Sequence, residues 1–165
     1  MTAKLVMASV TTHINTGKSW LWTVDNFTPD YYDDYLKDLK LTEKPEIVIC
    51  GRTCHQQRDV DFFSDSSEGY RYSGNIRPAR PLADCVLFAP LLDAVNEALG
   101  SNFNGLLVNR YCNGSEYIGA HSDEESGLSS QKMVASIAYG PGIRTFRVRD
   151  KKTKKVVLDL LHHPC

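Results

Sequence analysis

Apolar residues recur along this chain at two different periods, and the change from one to the other marks its organisation. Between Leu87 and Leu99 the residues Leu91, Leu92, Val95 and Leu99 share one face at helical spacing. Gly100 follows them, which predicts an amphipathic helix entered after Asp84. From Gly105 onward the period shortens to two. Leu106 to Tyr111, Tyr117 to Ala120, Met133 to Tyr139, Ile143 to Arg149 and Lys155 to Leu161 read as short strands, punctuated by Gly114, Gly127, Gly140-Pro141-Gly142 and Lys151-Lys152-Thr153. Ahead of the helix, Ser19 to Val24 alternates as an aromatic strand, Thr28 and Pro29 open a helix running to about Leu39, and Ile47 to Cys50 is an apolar strand. The polar run from Arg52 to Gly69 is expected to be a binding loop with Ser64 to Gly69 as its turn. The expected class is α+β, a helical N-terminal half leaning on a β-rich C-terminal half.

Composition narrows this picture. A chain of 165 residues with 42% hydrophobic and 24% charged residues suits a single domain, 1–165, with a buried core. No run of about 18 apolar residues is present for a membrane span, and the N-terminus lacks the charged-then-apolar order of a secretory signal. Five cysteines without a regular framework suit free thiols in a reducing compartment, so an intracellular protein, nuclear or cytoplasmic, is expected. Cys50, Cys54 and His55 suggest zinc only weakly, because no second ligand pair stands at finger spacing; a partly buried thiol is the expectation for Cys50. The net charge of −1 gives no global basic field, but Arg144, Arg147, Arg149, Lys151, Lys152, Lys154 and Lys155 crowd one stretch. Lys151 to Lys155 reads as a solvated hairpin turn or as a phosphate contact, and the two are compatible. The three arginines are expected to line one face of their strand, solvated or tracking a nucleic-acid backbone.

Candidate chemistry concentrates at His121-Ser122-Asp123 and ten residues before it. On extended backbone, residues two apart project from one face, so the His121 imidazole and the Asp123 carboxylate can converge on one cation. The alternative is a solvated turn. Such a pair is two-thirds of the 2-His-1-carboxylate set that holds non-haem Fe(II) with open positions. Asn109 and Tyr111 are also two apart and offer an amide and a phenol as donors, either to a dianionic ligand or to the strand end. Tyr70 and Tyr72 share a face in the same way, which by itself reads as a strand of half-buried core aromatics.

Six motifs in order, Tyr70-Arg71-Tyr72-Ser73-Gly74, Phe103-Asn104, Asn109-Arg110-Tyr111, His121-Ser122-Asp123-Glu124-Glu125, Ala135 to Gly140 and Arg144-Thr145-Phe146-Arg147, resemble the AlkB-type Fe(II)/2-oxoglutarate-dependent dioxygenases over about Phe27 to Leu161. The resemblance implies a double-stranded β-helix, or jelly roll, in residues 101–165, with N-terminal helices and a substrate lid in 1–100. It implies that His121 and Asp123 hold the iron, with no catalytic residue beyond the metal ligands. Asn109 and Tyr111 would bind 2-oxoglutarate, and Tyr70, Tyr72 and Glu124 would bind a methylated base in DNA or RNA. Fe(II), 2-oxoglutarate and O2 are thus the implied cofactors and nucleic acid the implied partner, with no membrane.

The implied activity is oxidative demethylation of nucleobases in DNA repair or RNA demethylation, giving succinate and formaldehyde. The family's second histidine ligand and its two 2-oxoglutarate arginines follow a Leu-x-Leu-x-His-Gly segment. Leu158 to His163 fits that segment near the end of this chain, so a jelly roll incomplete at the C-terminus is expected, with His163 a poor substitute ligand. The alternatives are a non-catalytic nucleic-acid-binding remnant of the same fold and an oxygenase acting on protein or small molecules.

Overall fold

Every residue of Asp59–Phe63 is buried, although two of the five are aspartates. The computed structural model describes residues 9–25, 27, 35–72, 75–123 and 133–162. In chain order the strands are β1 (Val10–Asn15), β2 (Trp20–Val24), β3 (Glu46–Ile49), β4 (Arg52–His55), β5 (Asp59–Phe63), β6 (Gly69–Tyr72) and β7 (Asn75–Arg80). A 3-10 turn at Leu82–Asp84 leads into helix α1 (Phe88–Leu99), followed by β8 (Leu106–Arg110), β9 (Arg144–Arg149) and β10 (Val156–His162). One four-stranded sheet runs β6-β7-β5-β8, with β5 parallel to β7 and antiparallel to β8. The pairs β1-β2, β3-β4 and β9-β10 are separate antiparallel hairpins. Mostly strand with one helix, the described residues are consistent with a jelly-roll core.

The expected division into a helical and a β-rich half is corrected by this order, because seven of the strands precede α1. Of the helix expected from Pro29 to Leu39, all but the end lies outside the described residues; Tyr35 and Leu36 are helical. The run from Arg52 to Gly69 is not one loop. It contains β4 and β5, with a bend at Gln57 and Arg58 between them and a turn from Ser64 to Glu68 before β6 begins at Gly69. Cys50 is exposed rather than partly buried. With φ values of 50° and 74°, Cys50 and Gly51 make the two-residue turn, positive at both positions, that suits the twist of a β-hairpin.

β5 owes its burial to its pairings. Phe63, Asp61 and Asp59 stand opposite Leu106, Val108 and Arg110 of β8, whereas Phe62 and Val60 stand opposite Leu107 and Asn109 on the other face. The first face packs on α1. Phe63 is fully buried with its ring 4.7 Å from that of Phe88, and Leu91 and Val95 continue the α1 stripe into the same core as Leu39, Leu41 and Leu82. The two aspartates are tolerated there because basic groups meet them. Asp61 accepts from Arg77 and Arg80 at 2.9 Å each and from Thr42 N and Oγ1, and Asp59 accepts from Arg110 at 3.2 Å.

Helix α1 ends where the sequence indicates. Gly100 takes the left-handed conformation at φ 57° and its N–H reaches back to Asn96 and Glu97. The Asn96 side chain then ties down Phe103, accepting from its N–H and donating to its carbonyl, which sets the start of β8. Gly105 lies in that lead-in against the site face of the sheet. A Cβ there would stand 2.5 Å from Phe62 Cζ and 2.9 Å from the Phe63 carbonyl. Gly105→Ala is therefore expected to displace the Phe62 ring and to cost about 1–3 kcal/mol, measured as a shift of the urea unfolding midpoint.

Two expected strands do not form ladders. Tyr117 to Ala120 and Met133 to Tyr139 have no strand paired alongside among the described residues. Alternation reports which side chains one face buries, and a strand also needs a neighbour for its N–H and C=O groups.

Candidate active site

The face of the sheet turned away from α1 gathers the aromatic and donor residues singled out by spacing. Val60, Phe62, Leu107 and Asn109 share it by register, and alternation carries it on to Tyr111. Tyr70 lies 5.8 Å from Phe62, ring centroid to ring centroid, and Tyr72 stacks on Tyr70 at 6.3 Å with 19° between the planes. Tyr70 and Tyr72 thus project together from β6, both half-buried. The Arg58 guanidinium lies over the Tyr72 ring at 5.7 Å, and the Arg144 guanidinium lies over the Tyr111 ring at 3.6 Å. Burial pushes the Tyr111 phenol up, Arg58 and Arg144 pull it back, and Tyr72 adds to the rise. Tyr111 therefore keeps its proton at neutral pH and offers an O–H donor.

Sequence reasoning assigned Arg58 no role here and set Arg144 in one row with Arg147 and Arg149. Arg58 is only 4% exposed, although it stands in a polar run. Arg144 does not share a face with Arg147 and Arg149, as expected, but points the opposite way, because a separation of three residues reverses direction on a strand. That parity was legible in the numbering. Arg147 on the outer face is paired bidentately with Asp159 at 2.7 Å, and Lys151 to Thr153 form the turn of the β9-β10 hairpin, with Asp150 accepting from Lys152 N and Thr153 N.

The turn from Tyr111 toward the His-x-Asp pair is pinned by Glu116. This buried carboxylate accepts from Lys44 Nζ at 2.8 Å, from Cys112 N at 2.5 Å and from Asn113 Nδ2 at 3.2 Å, and these bonds hold it below the usual carboxylate range. Its own carbonyl accepts from Arg144 Nη2 at 3.0 Å, so the same residue steadies the guanidinium over Tyr111.

His121 and Asp123 are half-exposed on irregular backbone rather than on a paired strand, yet they converge, with Nε2 and Oδ1 3.2 Å apart. Nδ1 lies 2.8 Å from the Gly119 carbonyl, which can only accept, so Nδ1 carries a proton. With Nδ1 on that carbonyl, Nε2 is the ring nitrogen turned toward a carboxylate oxygen, and a proton or a cation can sit between the two. Imidazole nitrogen and carboxylate oxygen at about 2.1 Å from one divalent metal and about 90° apart stand about 3.0 Å from each other. The backbone carbonyl on Nδ1 is the usual outer partner of a metal-binding histidine. The pair therefore fits a divalent ion. Among the described residues no group of three or more His, Cys, Asp and Glu gathers, so the pair stands there without a third ligand. The contacts that fix the pair are those with each other and with Gly119, and Glu124 lies outside the described residues.

No helix among the described residues is long and apolar enough to cross a membrane. Comparison with known proteins adds what geometry alone does not. Residues 32–163 match the 2OG-Fe(II) oxygenase superfamily. The DNA oxidative demethylase ALKBH2 of Arabidopsis thaliana is 33% identical over 124 residues, covering 74% of this chain and 39% of that protein. ALKBH2 of Homo sapiens is 30% identical over 108 residues, covering 66% and 40%. The alpha-ketoglutarate-dependent dioxygenase alkB homolog 3 of Homo sapiens is 38% identical over 61 residues, covering 37% and 21%. The chain thus spans about two fifths of the length of the ALKBH2 relatives. With its match running through most of its length, the chain belongs to the 2OG-Fe(II) oxygenase superfamily.

Proposed function

We propose that the protein is an AlkB-type dioxygenase that demethylates alkylated nucleobases in DNA or RNA, using Fe(II), 2-oxoglutarate and O2. The observation that carries this reading is the joint presence of the His121–Asp123 pair at 3.2 Å and an aromatic, donor-lined face bearing Tyr70, Tyr72 and Tyr111. Family membership and two relatives named as DNA oxidative demethylases support it. The fold on this reading is a jelly roll with a lid from the N-terminal part.

His121 and Asp123 hold the iron, with the ring oriented by Gly119. Asn109 and Tyr111 donate to the co-substrate. Tyr70 and Tyr72 offer their faces to a base taken out of its stack, which gains cation–π attraction when the methylated base is cationic. Glu124 adds a carboxylate next to Asp123 that favours such a cation. Iron, when bound with 2-oxoglutarate and O2, would supply the oxidising chemistry: O2 is the oxidant, 2-oxoglutarate is oxidised to succinate and CO2, and the hydroxylated N-methyl group is released as formaldehyde. The chain's own contribution is to orient the metal ligands, keep the phenol protonated and hold the base in a fixed pose.

The test is formaldehyde release from an oligonucleotide containing 1-methyladenine or 3-methylcytosine. Release that needs both Fe(II) and 2-oxoglutarate is expected. Salt-sensitive binding of the oligonucleotide, with no release even when both are supplied, would instead identify a nucleic-acid-binding remnant of the fold.

A further inference from the structure

Glu116 is 3% exposed, yet it stands at the end of a turn, outside the core cluster. Burying a carboxylate is costly unless donors meet it, so its partners indicate what the burial serves. Two of them adjoin Tyr111. Cys112 N, in the next peptide along the chain, bonds the carboxylate, and Arg144, 3.6 Å over the Tyr111 ring, bonds the Glu116 carbonyl. One residue thereby grips Tyr111 at its backbone and at its ring face. The ammonium that meets the carboxylate comes from Lys44, just ahead of β3. Lys44 has φ 37°, a conformation uncommon outside glycine. It is kept there by bonds on both sides, its N–H donating to Asp59 at 3.3 Å and its carbonyl accepting from His55 Nδ1 at 3.0 Å.

We infer that Lys44 and Glu116 are positioning residues for Tyr111. Their ion pair locks the turn 112–116, and through it the direction in which the Tyr111 O–H is presented to the co-substrate. Both act through Tyr111. The inference rests on the co-substrate reading of that residue above and deepens it. Asn113 closes the same turn, donating to the Glu116 carboxylate and accepting from Ser115 N and Oγ, so the carboxylate is the point on which the turn is tied. A hydrogen bond weakens steeply as its angle closes, and a ring left to rotate gives up much of what its O–H donates.

The experiment is a double-mutant cycle, read by calorimetric binding of 2-oxoglutarate to the Fe(II)-loaded protein without oxygen. Tyr111→Phe should weaken 2-oxoglutarate about tenfold, the loss of one hydrogen bond to a charged group. Glu116→Gln and Lys44→Met should each weaken it about fivefold with Tyr111 present, and by less than about twofold in the Tyr111→Phe background. Lys44→Arg, which keeps the charge, should recover most of the affinity. Equal losses in both backgrounds would mean that the pair holds the fold rather than Tyr111 and would overturn the inference, as would unchanged affinity with Tyr111 present. Lys44 is half-exposed, so its variants decide the matter if Glu116→Gln does not fold. A wild type that does not bind 2-oxoglutarate, or a Tyr111→Phe variant that binds it equally well, would remove the co-substrate reading and the inference with it. Failure of the cycle alone would leave that reading standing.

Discussion

Asp61→Ala is expected to lower the free energy of unfolding by about 2–3 kcal/mol, somewhat below the 3–5 kcal/mol of breaking a fully buried ion pair. The side chain is 7% exposed and accepts four bonds, from Thr42 N, Thr42 Oγ1, Arg77 and Arg80. Removing it leaves two guanidinium groups against the core with no partner at that position. Those groups are 23% and 34% exposed, and water recovers part of the loss. Arg80 also keeps Asp84.

The same site should shape acid stability. Burial raises the Asp61 carboxyl, but the bonds from Thr42, Arg80 and Arg77 outweigh it and hold the group below its usual value. A carboxyl depressed in the folded state binds fewer protons than its unfolded counterpart. Its stabilisation is thus fully present above the ordinary aspartate value of about 3.9 and is lost as pH falls through the folded value. Urea midpoints measured from pH 7 downward should fall less steeply for Asp61→Asn than for the wild type in that acid range. Parallel curves would show that Asp61 is not the group whose protonation weakens the fold.

This network also explains why β5 was not legible in the sequence. Asp-Val-Asp-Phe-Phe reads as part of the polar run from Arg52 to Gly69, since periodicity counts an aspartate as a solvent-facing residue. Its burial depends on Arg77, Arg80 and Arg110, and those pairings span up to 51 residues of sequence. Arg58 stands in the same run and was given no role for the same reason. By contrast α1 was legible because its spacing and Gly100 are both local signals, and β8 because its apolar run is bounded by Gly105 and by polar groups. Within the site, the spacing of two residues was enough to bring Tyr70 with Tyr72 and His121 with Asp123. The joining of the tyrosine wall to Tyr111 through Arg58 needed the fold, since it depends on β8 lying beside β5 and β6 reaching it across β7.

His121→Ala and Asp123→Ala are each expected to reduce Fe(II)-dependent demethylation by more than about 100-fold, because removing a metal ligand should exceed the 10–100-fold typical of removing a ligand's outer partner. Both side chains are needed for the convergence at 3.2 Å, and among the described residues no third His, Cys, Asp or Glu stands ready to replace either. The fold should survive both changes, since the pair is half-exposed on irregular backbone outside the core cluster. Unaltered unfolding midpoints would establish that. Tyr72→Ala should behave differently. It removes a stacking face from the base and the partner ring of Arg58 but no group of the metal pair, so the use of methylated oligonucleotide should weaken while Fe(II) affinity holds. Equilibrium Fe(II) binding, measured beside formaldehyde release for all three variants, separates the two roles. Full activity in either metal-pair variant would dismiss His121 and Asp123 as the iron ligands, and loss of iron in Tyr72→Ala would show that the aromatic wall supports the metal loop instead of the base.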